Sequence, residues 1–409
     1  MKYIIIHGDG MGDWPCRELG DKTPLEAALK PNMDLMAARG ELGLVATIPP
    51  GMPSGSDIGT MSMLGYDPAR YHTGRAPIEA ASQGLTMGPT DVVFRMNLVT
   101  IGHAADHSMT MTDFTAGHIS SEEAAELVHD LAAKLSEPQI EFFNGVGYRH
   151  LMIWRNGCTE TRLVPPHDIT GKAIEPYLPQ GGGADRLWVL MARAAEILKQ
   201  HPVNQARRAA GKPEANCVWF WGQGKRPAIP TLEQRFGVTG SVVSAVDLVK
   251  GLGRLAGLEV IAVPGATGFL DTDYAAKARY GINSLRAKDF LLLHIEAPDE
   301  AAHMGRPDLK KEAIERIDEL IVGPLLTQLP ELDDFRLLLM PDHPTPCELK
   351  THSNEAVPFA MIDRTALAID KGVVRRYTEA DAAMTGLTVT EGCRLIESLF
   401  GKSLHQAGS

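Results

Sequence analysis

Cysteine is scarce in this chain and is not arranged to bridge or to bind. Cys16, Cys158, Cys217, Cys347 and Cys393 are scattered over 409 residues, odd in number and without a C-x-x-C pair, which argues against a disulfide framework and against a cysteine-ligated zinc site. A positive surplus is missing as well. The formal net charge of −11 speaks against nucleic acid or an anionic membrane as a general partner, so any phosphate site must be local. Long apolar runs are absent. The opening MKYIIIHGDGMGD meets acidic residues after a run too short for a signal-peptide core or a membrane span; it reads as a first β-strand and leaves the cytoplasm as the expected location. No internal repeat or low-complexity tract interrupts the chain. The glycine-rich stretch Gly8-Asp9-Gly10-Met11-Gly12-Asp13 lacks the Gly-Lys-Ser/Thr ending of a phosphate-binding loop.

What is present is an ordinary globular composition, 44% hydrophobic and 22% charged, on a chain longer than one core usually fills. Short apolar runs at 3–6, 290–295 and 337–340 each end abruptly in acidic or histidine residues: His7-Gly8-Asp9, Glu296 and Asp342-His343. They have the character of buried strands, and in open α/β sheets ligands gather outside the carboxyl ends of such strands. Helical patterns cover 23–28, 121–135, 186–199, 245–255 and 310–326, so strand and helix alternate at both ends of the chain. The middle differs, mixing FRMNLVTI, EFFNGVGYRHLMIW and ETRLVPPHDITGK with long amphipathic helices. The pattern predicts an α/β core of mostly parallel sheet sandwiched by helices, built from 1–94 and 216–409, with an inserted α+β domain over 95–215; CVWFWGQGK marks the return to the core.

Chemistry concentrates at those strand ends. Asp299 and His303, four apart after a buried strand, share one face of a helical turn and suit one metal ion, although an Asp-His pair of this spacing also serves simply to stabilise a helix. Asp342-His343 with His352 offers oxygen and imidazole donors, with turn formation as the ordinary alternative. Asp9 emerges from a glycine turn. In PSGSD, a serine enters a helix after a Gly/Pro turn with its hydroxyl exposed to the helix dipole, and Ser54, Ser56 or Asp57 can equally be a helix cap. Taken jointly, these residues make two ligand groups beside a serine. A pair of cations about 3.5–4 Å apart polarises a phosphate and steadies an alkoxide, which describes a phosphoryl-transfer site.

The order of short motifs resembles the archaeal-type, cofactor-independent phosphoglycerate mutases of the alkaline phosphatase superfamily. It runs through GDGMGD, KTPLEAA, PNMD, PSGSD, LGYDP, YHTGR, FRMNLVT, YRH, PPHDITGK, WFWGQGK, SAVDLVKGLGRLAGLEV, VPGATGFLDTDY, EAPDEAAH, PDHPTP and THS, spanning nearly the whole chain. The resemblance implies an alkaline-phosphatase-like core in which Asp9, Ser56, Asp342 and His343 hold one divalent ion and Asp299, His303 and His352 another, manganese or zinc. It also implies Ser56 as the nucleophile that becomes phosphoserine and returns the phosphate to the other hydroxyl of glycerate. Such a reaction needs neither bisphosphoglycerate nor a nucleotide, and its partner is a small phosphorylated metabolite.

Substrate recognition is expected from Arg149, His150, His167, Asp168 and Lys172 in the insertion, which closes over the cleft on hinges near Arg95 and Asn216, with Arg75 and Lys277 on the core side. One departure stands out: some archaeal-type mutases carry a histidine four residues after the nucleophile, where this chain has Thr60, which cannot exchange a proton near neutral pH. Bacterial relatives proposed as homoserine kinases share these motifs, so phosphate transfer to an amino-acid hydroxyl is an alternative. Hydrolysis by a phosphomonoesterase or phosphodiesterase is another.

Overall fold

The computed structural model describes residues 1–103 and 108–402. The chain forms two compact units, Met1–His72 with Ile229–Ser409, and Thr73–Ala228. In the first unit eight strands lie in the order Glu259–Val260, Gly240–Val243, Phe290–Ile295, Lys2–Gly8, Phe335–Met340, Val357–Asp363, Glu41–Val45 and Thr388–Val389. Val357–Asp363 is antiparallel to both its neighbours, and the remaining pairs are parallel.

Parallel strands need crossover helices, and those helices cover both faces, which is why KYIIIHG, FLLLHI and FRLLLM are almost continuously apolar. Ile4, Ile6, Leu291, Leu293, Leu337 and Leu339 pack on one face with Ile314, Ile317 and Leu325, while Ile5, Leu292 and Leu338 are fully buried on the other. Each such side chain contributes about 1.5–3 kcal/mol on burial. A fully buried central strand cannot slip by one residue without exchanging its two packed faces, so the carboxyl ends are held in fixed register.

The second unit is antiparallel. Val92–His103 is its spine, pairing with Met109–Asp113, Arg149–Trp154 and Cys217–Lys225, with Ile140–Val146 beyond Arg149–Trp154. Helices Ser121–Leu135 and Ala184–Lys199 bring Leu127, Leu131, Leu187 and Leu190 against Phe94, Met96 and Leu98. Ser120 and Glu123 close a reciprocal cap at the start of Ser121–Leu135.

The boundaries therefore differ from those predicted. CVWFWGQGK does not return to the core: as Cys217–Lys225 it is hydrogen-bonded to Val92–His103, and Arg95 stands opposite Trp221 inside that sheet. The hinges expected near Arg95 and Asn216 likewise fall within the second unit. Asn216 exchanges hydrogen bonds with Ile101, and the chain passes between the units at 72–73 and 228–229.

Candidate metal centre

The first strand is in register with both parallel neighbours, so His7 lies opposite His294 on one side and Met340 on the other. Loops leaving aligned strand ends emerge together, which is how Asp9, Asp299 and Asp342-His343 meet across the sequence. Ser56 opens the helix Ser56–Met63. Gly59 lets that helix lie against the Asp342 loop, for a Cβ there would stand 2.6 Å from the Asp342 carbonyl oxygen. Ser56 Oγ is thereby brought to 3.2 Å from His343 Nε2.

Around His343, Asp342 Oδ2 lies 3.3 Å and Asp9 Oδ1 3.7 Å from Nε2. Both oxygens are buried and accept no hydrogen bond. Their other oxygens face elsewhere: Asp342 Oδ1 accepts from the backbone amides of Gly10 and His343, and Asp9 Oδ2 lies 2.9 Å from His294 Nε2. Beside this group, His303 Nε2 is 3.0 Å from Asp299 Oδ2 and 3.1 Å from His352 Nε2. His352 Nε2 lies 3.6 Å from Asp299 Oδ1. His303 Nδ1 donates to the Lys350 carbonyl at 2.9 Å, an arrangement that aims Nε2 inward. Asp299, His343 and His352 also converge within 4.8 Å, so His343 borders both groups.

The charges need a counterion. Burial and the carboxylates of Asp342, Glu296 and Asp299 push Asp9 well above the ordinary carboxylate range. Burial works the same way on Asp299, but hydrogen bonds from His303 and His352 outweigh it and hold that carboxyl well below its usual value. The bond to Asp299 raises His303 to about 9. Orphaned buried oxygens, two imidazole nitrogens facing each other, and an all oxygen and nitrogen donor set fit hard-to-borderline divalent cations.

Supporting residues lock the loops. Lys310 Nζ, fully buried, donates to the carbonyls of Gly12 and Thr345 and to Asp13 Oδ2, tying the glycine turn after Asp9 to the loop after His343. Thr345 Oγ1 donates to Asp299 Oδ1 at 2.5 Å. Asp13, Cys16 and Cys347 also cluster, but Lys310 already satisfies Asp13, and burial pushes the Cys16 thiol up to about 11.

The remaining predicted residues are distributed differently. Lys277 is fully buried in the first unit, donating to the carbonyls of Thr267 and His294 at 3.4 and 3.3 Å, and burial lowers it to about 8 against the pull of Glu296. In the second unit Arg75 is exposed at the start of Arg75–Ser82, and Arg149 is exposed with its guanidinium over Tyr148. His150 is a packed residue: its Nδ1 accepts from the Gly145 amide, and burial lowers it to about 4. His167 is exposed and stacks edge-on against Phe114 and Trp221, Asp168 is exposed beside it, and Lys172 Nζ donates to the Asp168 carbonyl. Thr60 is buried one turn along the helix from Ser56, with no partner for its hydroxyl.

Sequence reasoning named His7 and Glu296 only as strand ends, left His294 inside an apolar run, and offered none of the three as a ligand. Their signal was legible: a histidine closing each of two otherwise apolar strands, followed two residues later by a carboxylate. Among the described residues no helix is long and apolar enough to cross a membrane.

Comparison with known proteins adds five findings. The family model described as 2,3-bisphosphoglycerate-independent phosphoglycerate mutase matches residues 37–204. A probable 2,3-bisphosphoglycerate-independent phosphoglycerate mutase of Geobacter sulfurreducens is 46% identical, over 98% of this chain and 100% of that protein. The Methanosarcina barkeri protein of the same description is 46% identical over 97% of this chain and 98% of its own length. Among solved structures, a Pyrococcus horikoshii protein superposes with a TM-score of 0.81 at 30% identity, covering 98% of both chains, and the cofactor-independent phosphoglycerate mutase of Thermoplasma acidophilum with 0.70 at 27%, covering 100% of both.

Proposed function

Because the chain belongs to the 2,3-bisphosphoglycerate-independent phosphoglycerate mutase family, as its identity to full-length members establishes, we propose that it interconverts 3-phosphoglycerate and 2-phosphoglycerate through a phosphoserine on Ser56. The observation that carries this reading is the 3.2 Å approach of Ser56 Oγ to His343 Nε2, beside buried carboxylate oxygens that have no partner. Asp9, Ser56, Asp342 and His343 would hold one divalent ion, and Asp299, His303 and His352 another, with manganese or zinc equally suited to these donors. Bound there, such ions supply Lewis-acid stabilisation of the phosphoryl oxygens and make the serine hydroxyl easier to deprotonate.

The chain's own residues set the geometry. Ser56 heads an eight-residue helix, whose N-terminal dipole favours a negatively charged group at that hydroxyl. Its hydroxyl gives up its proton as the oxygen attacks the phosphorus of phosphoglycerate, the bond to the glycerate oxygen breaks, and that oxygen takes up a proton. In the second step the other glycerate hydroxyl loses its proton as it attacks phosphoserine, the bond from phosphorus to the Ser56 oxygen breaks, and that oxygen takes up a proton. Covalent storage of the phosphate divides one difficult migration into two transfers. Thr345 and Lys310 hold the ligand-bearing loops, so the donors are placed before substrate arrives.

Recognition of the glycerate carboxylate we assign to the exposed cations Arg75 and Arg149, with His167, Asp168 and Lys172 as further polar contacts and Lys277 as a charge inside the core. His150 is buried with its Nδ1 on the Gly145 amide and is left out of these contacts. The free state of all five cysteines accords with a reaction in the reducing cytoplasm.

The test is phosphorus NMR of metal-loaded protein with 3-phosphoglycerate alone. Conversion to 2-phosphoglycerate without added bisphosphoglycerate is the expected result. Free phosphate as the sole product would replace the mutase with a hydrolase, and phosphohomoserine formed from homoserine and ATP in a parallel sample, with no mutase turnover, would replace it with a kinase.

A further inference from the structure

Beside the proposed pair lie His7, His294 and Glu296, donors that the mutase chemistry does not use. His7 and His294 are directly opposite each other on adjacent parallel strands, their rings 4.5 Å apart and edge to face. Side chains alternate along a strand, so the residues two positions on, Asp9 and Glu296, leave the same side of the sheet. The motifs His-x-Asp and His-x-Glu thus bring donor atoms of His7, Asp9 and His294 within 4.8 Å of one another, with Glu296 beside His294. His294 Nε2 stands 2.9 Å from Asp9 Oδ2 and 3.2 Å from Glu296 Oε2, and His7 Nε2 stands 3.8 Å from Asp9 Oδ2 and 3.2 Å from Asp342 Oδ1.

Three features point to a missing ligand. His7 is fully buried, yet neither ring nitrogen makes a hydrogen bond. Glu296 Oε2 is buried and unbonded as well. His294 Nδ1 faces Ser244 Oγ at 2.9 Å, the outer partner that orients a ligating imidazole with Nε2 turned toward these donors. Lys277 donates to the His294 carbonyl at 3.3 Å, so its charge acts on Glu296 from beside them. An orphaned imidazole in a dry interior is costly, and a strand interior otherwise filled by Ile and Leu could hold an apolar residue there at no such cost.

We propose that His7, Asp9, His294 and Glu296 form a third cation site, taking a borderline divalent ion such as zinc and bridged to the mutase pair through the two oxygens of Asp9. Two imidazoles and two carboxylates are a donor set that zinc accepts in a four-coordinate site. The inference rests on the reading of the pair, since Asp9 Oδ1 belongs to the pair and Oδ2 to the new site.

The experiment is equilibrium dialysis of the full-length protein against zinc chloride, followed by elemental analysis of zinc per chain, on the wild type, His7→Leu and Glu296→Gln, with circular dichroism to confirm folding. The wild type is expected to hold one ion beyond the pair, and each variant one ion fewer than the wild type. A wild type that holds only the pair overturns the third site and leaves the mutase centre standing. Variants that hold as many ions as the wild type also overturn it. A wild type that holds fewer ions than the pair overturns both. Should His7→Leu fail to fold, Glu296→Gln decides, because it keeps the shape of the side chain and removes only its charge.

Discussion

The strand ends of the first unit and the buried charges of the second are treated in opposite ways. In the first, Asp9, Asp342 and His7 are fully buried at the strand ends, and Asp9 Oδ1, Asp342 Oδ2 and both ring nitrogens of His7 have no hydrogen-bond partner among the described residues. In the second, buried or half-buried charges find protein partners: Arg207 meets Glu123 and the carbonyls of Ala116 and Pro213, and Arg155 meets Asp91 and Glu141. A satisfied network rigidifies a fold, whereas an unsatisfied one of this density is affordable only if something else completes it. The contrast marks the strand ends of the first unit as the place where a cation would complete the donor set.

Breaking the contrast at Ser56 gives the largest effect. Ser56→Ala is expected to lower turnover by about 10⁴-fold or more while leaving the melting temperature near that of the wild type, because the change removes a single hydrogen bond among the described residues, from Ser56 Oγ to His343. Steady-state kinetics and a thermal melt check it together. Next in size is Lys310→Met. Removing one partner of a buried ion pair costs about 3–5 kcal/mol, and since Lys310 also joins the Gly12 and Thr345 carbonyls, urea unfolding should show that loss along with weaker metal binding.

Acidity sharpens the comparison. Without metal, the hydrogen bond to Asp299 lifts His303 to about 9, so the protonated pair stabilises the metal-free fold fully below the ordinary histidine range and loses that contribution as pH rises through about 9. A cation needs the neutral imidazole, so metal affinity is expected to strengthen as pH climbs toward 9, and activity to fall on acidification. Metal titrations at several pH values test this, and an affinity that is flat across them would contradict it. The smallest effects belong to the second unit. Arg149→Ala should raise KM by about 10-fold with kcat little changed, as expected for one lost charge-assisted contact. Its neighbour His150, packed under the Gly145 amide, should affect stability when replaced by Ala and leave KM near the wild-type value.

Much of the first unit was legible because apolar runs with abrupt acidic ends report buried parallel strands directly, and Asp299, His303, Asp342, His343 and His352 follow those ends closely in sequence. The second unit's limits were harder to read. CVWFWGQGK is a strand by any local criterion, but whether it joins one sheet or the other is decided by long-range pairing with Val92–His103, which no local pattern records. His150 was read as a substrate contact because a carboxylate or phosphate needs cations and a sugar-acid hydroxyl a polar partner; alternation along Arg149–Trp154 exposes Arg149 and buries His150, a difference set by the strand's pairing. His7 was read as the end of a strand and His294 as part of an apolar run, and cross-strand register places the two together.

The central claim is that phosphate resides on Ser56 during turnover. Metal-loaded protein turning over 3-phosphoglycerate, quenched in acid and digested, should yield a phosphorylated peptide with the phosphate mapped to Ser56. Formation of 2-phosphoglycerate with no phosphate on that residue at any quench time would contradict the account.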